Sequence, residues 1–382
     1  MYEEVFEKLL NYCRDEQWQG YDPYDALNSS LFNYFPNSKY LRIAWTQFIK
    51  RSPFNIRPLV GIEKGENPKG LSLFVRALLL AYKKTKNEQY KKDAEELLER
   101  LWTMRSPGFD GLMCWGYNFA WQSRAFFAPI YTPSIVCTTF VAHAWLDHFE
   151  MFEEEASLEV AISACEFILE YLNYSEKDGE ICFSYTPRDK SEVHNANLLG
   201  AELLARTASF VTDEEKLREM AIKSARFTVN RQAADGSWPY GTAPFQAWCD
   251  NFHTGFNLVS LDTVIRECGM DRWKEALEKG FKFYMSNFFL ADGTPKYYHN
   301  KIYPIDIHSS AQAIVTFVRL KHLIDDSQGW VIKLTDWVLA NMWDRSGYFY
   351  FQKTAFFTKK ISYMRWSQAW MAYALAMANY AD

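Results

Sequence analysis

Residues 235–266 read DGSWPYGTAPFQAWCDNFHTGFNLVSLDTVIR. An Asp-Gly turn leads into an aromatic loop, then a polar edge at Asp250, Asn251 and His253, then an apolar helix. The same plan recurs as DGEICFSYTPRDKSEVHNANLLGAELLARTA from Asp178 and DGTPKYYHNKIYPIDIHSSAQAIVTFVRL from Asp292. Looser copies start at Asp110 and Asp344. The turn glycines Gly111, Gly179, Gly236, Gly293 and Gly347 are spaced 68, 57, 57 and 54 residues apart. A period of this size marks repeated supersecondary units that cannot bury their apolar faces alone.

Between the turns, two kinds of helix alternate. Segments 38–50, 87–104, 156–173, 213–231, 270–287 and 327–343 are charged and amphipathic, each with one side in water. Segments 68–82, 133–148, 195–208, 253–266, 308–322 and 366–380 are rich in small residues and almost uncharged, as buried helices are. Six exposed helices alternating with six buried ones predict an all-α fold, an (α/α)6 toroid of six helical hairpins with an inner ring inside an outer one. Connections from buried to exposed helices are short. Those returning to the buried helices run to about 20–25 residues, a length that usually carries function. The face where the inner helices begin is therefore the expected site. The reading gives one domain over 1–382, with 1–37 as an N-terminal helix and loop against that face.

Composition narrows the partners. The chain is 48% hydrophobic and 17% aromatic, ample for a large core. A net charge of −5 and the lack of any Lys/Arg-rich stripe argue against nucleic acid. Seven dispersed cysteines without a CxxC fit free thiols in a reducing compartment. The acidic, amphipathic start MYEEVFEKLLNYCRDEQW resembles no export signal, so a cytoplasmic location is expected. Residues 125–146 are uncharged over nearly a membrane span, but two prolines, hydroxyls and His143 point to a buried helix, and no transmembrane segment is expected.

The chemistry is sought at the rim. Aligning three repeats on their histidines gives EVH at 192–194, NFH at 251–253 and DIH at 306–308, with an amide one turn later at Asn197, Asn257 and Gln312. The last repeat places Arg365 there, then Gln368. Helix N-termini carry partial positive charge and free N–H groups, so six of them around a funnel suit anionic or hydroxyl-rich ligands. The functional reading is a carbohydrate cleft. Asp250 and Asp306 would be acid, base or nucleophile, and His253 a proton carrier. His194, His308, Asn195, Asn197, Asn251, Gln312, Arg365 and Gln368 would bind sugar, with Trp115, Trp121, Trp248 and Trp366 as platforms. Gln122, Arg124 and Asp25 join the expected binding residues. The plainer reading makes these residues helix caps and loop ties. Three histidines could approach a metal, but the helix dipoles oppose a cation, and neither a metal nor a cofactor is expected. His143, His148, His299 and His322 read as structural. No nucleophile elbow, GxGxxG or P-loop is present.

The stretches WGYNFAWQSR (115–124), SYTPRDKSEVHNANLLGAELLAR (184–206), YPIDIHSSAQAIVTF (303–317) and YMRWSQAWMAYAL (363–375), with DGSWPYG and DNFHTGF, resemble a bacterial family encoded in capsule and exopolysaccharide biosynthesis clusters. The resemblance implies the toroid shared by six-hairpin glycosidases, uronate-processing enzymes and terpenoid cyclases. Relatives sometimes labelled aminolevulinate dehydratase do not change this, because that activity resembles a TIM barrel and the alternation here is helical. An acid is expected in the WGYxFxWQ motif where this chain has Ala120. The resemblance implies a carbohydrate-active protein of surface-polysaccharide biosynthesis, leaning to an enzyme, with an oligo- or polysaccharide partner and association with an assembly complex. Hydrolysis by Asp250 and Asp306 is the leading chemistry. The alternatives are a uronic-acid lyase or epimerase, and a non-catalytic glycan-binding or scaffold subunit.

Overall fold

A computed structural model describes residues 2–212 and 214–381. The expected start of the helix at 213 lies outside the described residues. Thirteen α-helices follow one another among the described residues. The first half holds α1 (Glu3–Asp15), α2 (Lys39–Arg51), α3 (Pro68–Thr85), α4 (Glu88–Thr103), α5 (Ile135–Phe152) and α6 (Glu155–Tyr171). Next come α7 (His194–Ala208), α8 (Glu215–Val229), α9 (Asn251–Cys268) and α10 (Lys274–Phe288). Last are α11 (Ile307–Arg319), α12 (Ser327–Met342) and α13 (Trp370–Tyr380), the last entered through a π-helical turn at Met364–Ala369.

The fold is an (α/α)6 toroid. Helices α3, α5, α7, α9, α11 and α13 pack side by side, and α13 returns to α3 to close the inner ring. The outer helices α4, α6, α8, α10 and α12 each lie on the inner helix before them in the chain. The sixth outer place belongs to α1, packed on α13. Its Phe6, Leu9, Leu10 and Cys13 recur at i, i+3, i+4 and i+7 and are sealed. The Tyr2 N–H donates to Asn379 Oδ1 at 2.8 Å, tying the two ends of the chain together. This corrects the expected ring, which gave that outer place to 38–50. Helix α2 buries only Thr46 and Ile49 and is instead an addition to the site face. Helix α1 thus packs in the ring, and Tyr24 of the loop after it lies beside Trp366, with ring centroids 5.5 Å apart.

Local chemistry sets the helix ends. Asn67, Ser134, Asp250 and Asp306 cap α3, α5, α9 and α11 by accepting backbone N–H groups of the first turn. The Asp-Gly turns need a left-handed residue. Gly236 has φ +93°, and a Cβ there would meet the Lys279 carbonyl at 2.4 Å.

Polar side chains pin the two rings together. Asn197 on α7 accepts from Ser224 Oγ at 2.7 Å and from the Phe183 N–H at 3.0 Å. Its Nδ2 donates to the Ser224 carbonyl at 2.8 Å. His194 Nδ1 lies 3.3 Å from Thr228 Oγ1 on α8, with its ring against Phe227. Burial pushes the His194 imidazole down to about 4.

Two expectations follow. Leu10→Ala should cost about 2–5 kcal/mol, because it opens a cavity in a closed ring. Tyr40→Ala on α2, whose side chain is 81% exposed, should change stability by less than about 0.5 kcal/mol. Equal costs in denaturant titrations would contradict the assignment of α1 to the ring. His194 is depressed in the folded state, so its contribution is complete above its unfolded value near 6.5 and is lost as pH falls toward 4. Wild type should therefore lose stability relative to His194→Asn by up to about 1.4 kcal/mol per pH unit across that window. Parallel stability curves for the two proteins would refute it.

Candidate active site

The six inner helices open on one cavity of about 490 Å³, within the usual range for small-molecule sites. Its floor follows from a register. Counting from the residue that precedes each inner helix, the second residue of every one lines the cavity. These are Lys69, Val136, Asn195, Phe252, His308 and Arg365. First positions turn outward instead. His194 meets α8, and Asn251 accepts from Tyr284 Oη on α10 at 2.8 Å.

This register revises the alignment on histidines. His194, His308 and His253 occupy the first, second and third positions of their helices. About 100° of rotation separates successive positions, so they do not face one way. All three sit at the same end of the toroid, but His194 is walled off while the other two line the cavity.

Beneath the floor, Phe140, Phe256 and Trp370 meet with ring centroids 5.4–5.9 Å apart and plug the barrel. Lys69 Nζ stands over them, 4.1 Å from the Phe140 centroid and 5.2–5.3 Å from the others. No carboxylate pairs with it among the described residues. Burial, then the nearby Arg365 guanidinium, hold this amine well below its usual range. His308 stacks between Phe252 and Trp370, each 4.4 Å away. Neither of its ring nitrogens has a protein partner among the described residues, nor has Asn195 Oδ1. Burial and the Lys69 charge keep the His308 ring neutral. Unpaired buried polar atoms on a cavity floor are costly, and a polar ligand would complete them.

On the wall, His253 Nδ1 lies 2.7 Å from Asp250 Oδ2. Trp248 Nε1 donates to the same oxygen at 3.1 Å, while Asp250 Oδ1 accepts the His253 N–H at 3.0 Å. The imidazole is held between Tyr240 and Phe252, at 4.7 and 4.1 Å. Phe252 thus touches both His253 and His308, so the two imidazoles can reach one small molecule. Tyr24, Tyr117, Tyr185, Tyr297 and the expected Trp121, Trp248 and Trp366 complete an aromatic wall, with Arg124 exposed at the rim.

Several expected ligands do not line this cavity. Asp306 caps α11, and its oxygens accept from the His308 N–H, Trp366 Nε1 and Gln352 Nε2 at 3.0, 2.8 and 3.2 Å. Burial pushes its carboxyl up to about 6. Asp25 pairs with Arg57 at 2.7 Å and holds the loop that presents Tyr24. Asp22 grips Arg365 at 2.6 and 2.8 Å, so that cation reaches the floor already paired. Trp115 donates to the Leu101 carbonyl, and Gln122 closes the hairpin at 121–128 while accepting from Arg42. Gln312 donates to Thr316, and Gln368 bonds both backbone groups of Phe349. Asn197, Asn251 and His194 face the outer ring, as described. Apart from Arg365, which lines the floor, these residues turn their side chains to the scaffold and not to the cavity wall.

Lys69 and the six tyrosines of the cavity, Tyr240 and Tyr298 among them, escaped the reading of the sequence. Lining the repeats up on their caps Asn67, Ser134, Asp250 and Asp306, then stepping two residues on, would have found Lys69. The tyrosines sit in loops of unequal length and carry no comparable signal.

No family model matches the sequence, and no curated protein matches it. Solved structures share its fold. Cellobiose 2-epimerase from Bacillus thermoamylovorans superposes with a TM-score of 0.62 at 13% identity, over 81% of this chain and 87% of that one. A D-mannose isomerase gives 0.61 at 12%, over 82% and 86%. Unsaturated glucuronyl hydrolase from Bacillus sp. GL1 gives 0.63 at 12%, over 98% and 94%. At these identities the likeness establishes the (α/α)6 toroid.

Proposed function

We propose that this chain is a carbohydrate-active enzyme that moves a proton at a sugar carbon beside a carbonyl or carboxyl group, as an epimerase or isomerase does. The observation that carries this reading is the Asp250–His253 pair on the cavity wall. A carboxylate can only accept, so the bond assigns the Nδ1 proton to His253 and leaves Nε2 as the basic nitrogen. That is the arrangement a general base needs.

The floor supplies what an enolate or enediolate would need. Lys69 and the paired Arg365 sit at helix N-termini, where partial positive charge favours developing oxyanions. His308, neutral and unpartnered, is placed to exchange a proton with a sugar hydroxyl. The tyrosines and tryptophans fit the mixed polar and apolar faces of a pyranose. Two of the proteins that share the fold, a cellobiose 2-epimerase and a D-mannose isomerase, are named for reactions of this kind.

Hydrolysis by Asp250 and Asp306 is less well supported. It needs two carboxyl groups facing one glycosidic bond, and Asp306 is outside the cavity wall with its oxygens already accepting three hydrogen bonds. Ala120 removes an acid that a carboxylate mechanism could use, whereas an imidazole base does not require it. A surface-polysaccharide intermediate, including a uronic acid whose carboxylate would meet Lys69, is the substrate context we favour.

The test is proton exchange in deuterated water. Free aldoses, ketoses, uronates and reducing oligosaccharides would be followed by NMR for deuterium at the carbon beside the carbonyl or carboxyl group. Wild type should exchange one of these classes, and His253→Gln should lower the rate about 10²–10⁴-fold. Asp250→Asn should lower it too, by disturbing the tautomer. Appearance of new reducing ends without deuterium in the product would replace this reading with hydrolysis.

A further inference from the structure

Between Asp25 and Glu63 the chain has no acidic residue, and between Asp344 and Asp382 none again, although it holds 47 Asp and Glu in all. The first stretch carries Lys39, Arg42, Lys50, Arg51 and Arg57, and the second Arg345, Lys353, Lys359, Lys360 and Arg365. The structure brings the two together. Lys359 Nζ donates to the Lys50 carbonyl at 3.2 Å, setting the hairpin of Gln352–Lys353 and Thr358–Lys359 against the end of α2.

Both elements hold large apolar side chains out in water. Phe356 at the hairpin tip is 94% exposed, and Leu59 and Phe54 after α2 are 83% and 77% exposed. On α2, Leu41 and Phe48 are seven residues apart on one outward face, and both are exposed. Arg51 has no hydrogen-bond or ion-pair partner among the described residues, so its charge is uncommitted.

Large apolar side chains held out in water on joined elements mark an interaction surface, and the charge around them decides between occupants. A second copy meeting it across a two-fold axis would set like charges face to face. A glycan would favour Trp platforms, and here Tyr34 and Tyr40 stand among exposed Leu and Phe side chains with no exposed Trp beside them among the described residues. Arg57 and Arg365 are buried and paired with Asp25 and Asp22, but aliphatic and Phe side chains beside the uncommitted Arg51 and the exposed Lys360, on a short helix lying along the surface, match an anionic lipid leaflet. We propose that this face docks the protein on a membrane surface rich in anionic lipid. No helix among the described residues is long and apolar enough to cross a membrane, so the association would be peripheral. Gln47 and Lys50 of α2 also line the cavity, so docking would set the mouth of the site beside the headgroups. This inference stands apart from the chemistry proposed above, since it uses none of the residues assigned to proton transfer.

The test is flotation of the full chain with extruded vesicles of phosphatidylcholine alone or with 30% phosphatidylglycerol. The protein should float with the anionic vesicles at least about tenfold better than with the neutral ones, and 0.5 M salt should weaken this. The triple variant Phe54→Ser, Leu59→Ser, Phe356→Ser should keep the wild-type melting temperature and lose about tenfold or more in binding. Arg51→Glu with Lys360→Glu should abolish the preference for anionic vesicles. Failure to float with either vesicle would overturn the proposal. So would a triple variant that floats as wild type does. The proposal also fails if the same substitutions only weaken retention on polysaccharide, or only convert a dimer to a monomer.

Discussion

Everything in this molecule follows from six buried helices forced to run parallel. Five of the six inner helices hand the chain to their outer partners through a short turn at one end, for example Glu153–Glu154 between α5 and α6. Every return is a long loop at the other end. Parallel helices add their dipoles instead of cancelling them. One face gathers free N–H groups and partial positive charge, and the opposite face gathers carbonyls. The polar residues obey this division. At the N-terminal face stand the acceptors Asn67, Ser134, Asp250 and Asp306. Toward the C-terminal end, Asp147 is clamped by Arg76 and Arg206 at 2.7 and 2.6 Å, and Ser260 donates to Glu202 at 2.7 Å.

A ring of six cylinders leaves a hole at its centre about as wide as one of them, because in a hexagon the centre lies as far from each corner as the corners lie from one another. With helix axes some 8–10 Å apart, that hole cannot be left empty. The chain fills it in layers. Phe140, Phe256 and Trp370 occupy the middle, and the Arg76–Asp147–Arg206 cluster with His143 and Glu202 fills the lower part. Only the upper layer stays open, because there the second residues of the helices include short or flat ones such as Val136, Asn195 and His308. The cavity is thus what remains above an aromatic plug, and its depth is set by where the plug stops. The plug also explains how Lys69 sits without a carboxylate, because its amine lies against aromatic faces and is held well below its usual range by burial and then by Arg365.

The toroid was legible because burial on all sides and burial on one side leave different compositions, and a period near 57 residues repeats the contrast. Two features were misread for physical reasons. Helices α1 and α2 are both amphipathic, and hydrophobicity alone does not say whether a face meets the ring or the solvent. Spacing does not separate them either, since α2 carries Leu41, Ala44, Trp45 and Phe48 at the same intervals as Phe6, Leu9, Leu10 and Cys13 of α1. The histidine register failed because identity of residue type was taken for identity of position. Only the capping residues, whose location is fixed by unsatisfied N–H groups, mark where each helix starts. Counted from its cap Asn67, Lys69 belongs to the floor, whereas α7 follows Val193, which offers no capping side chain, so the place of His194 in the seam between the rings carries no such mark in the sequence.

That one-residue bookkeeping also decides the chemistry. Asp250 and Asp306 are the same device, an aspartate capping an inner helix at the mouth. After Asp250 the histidine comes third, on the side of the helix to which the cap carboxylate returns, so the two side chains meet at 2.7 Å. After Asp306 the histidine comes second and turns to the axis, and the carboxylate finds Trp366 and Gln352 instead. A shift of one position therefore turns one template into two imidazoles of different character. One is oriented by a carboxylate, and the other is neutral, stacked and unpartnered. Proton transfer at carbon needs such a pair, one group to remove a proton and another to manage the charge on oxygen, so the site draws its asymmetry from a repeat that is otherwise nearly symmetric.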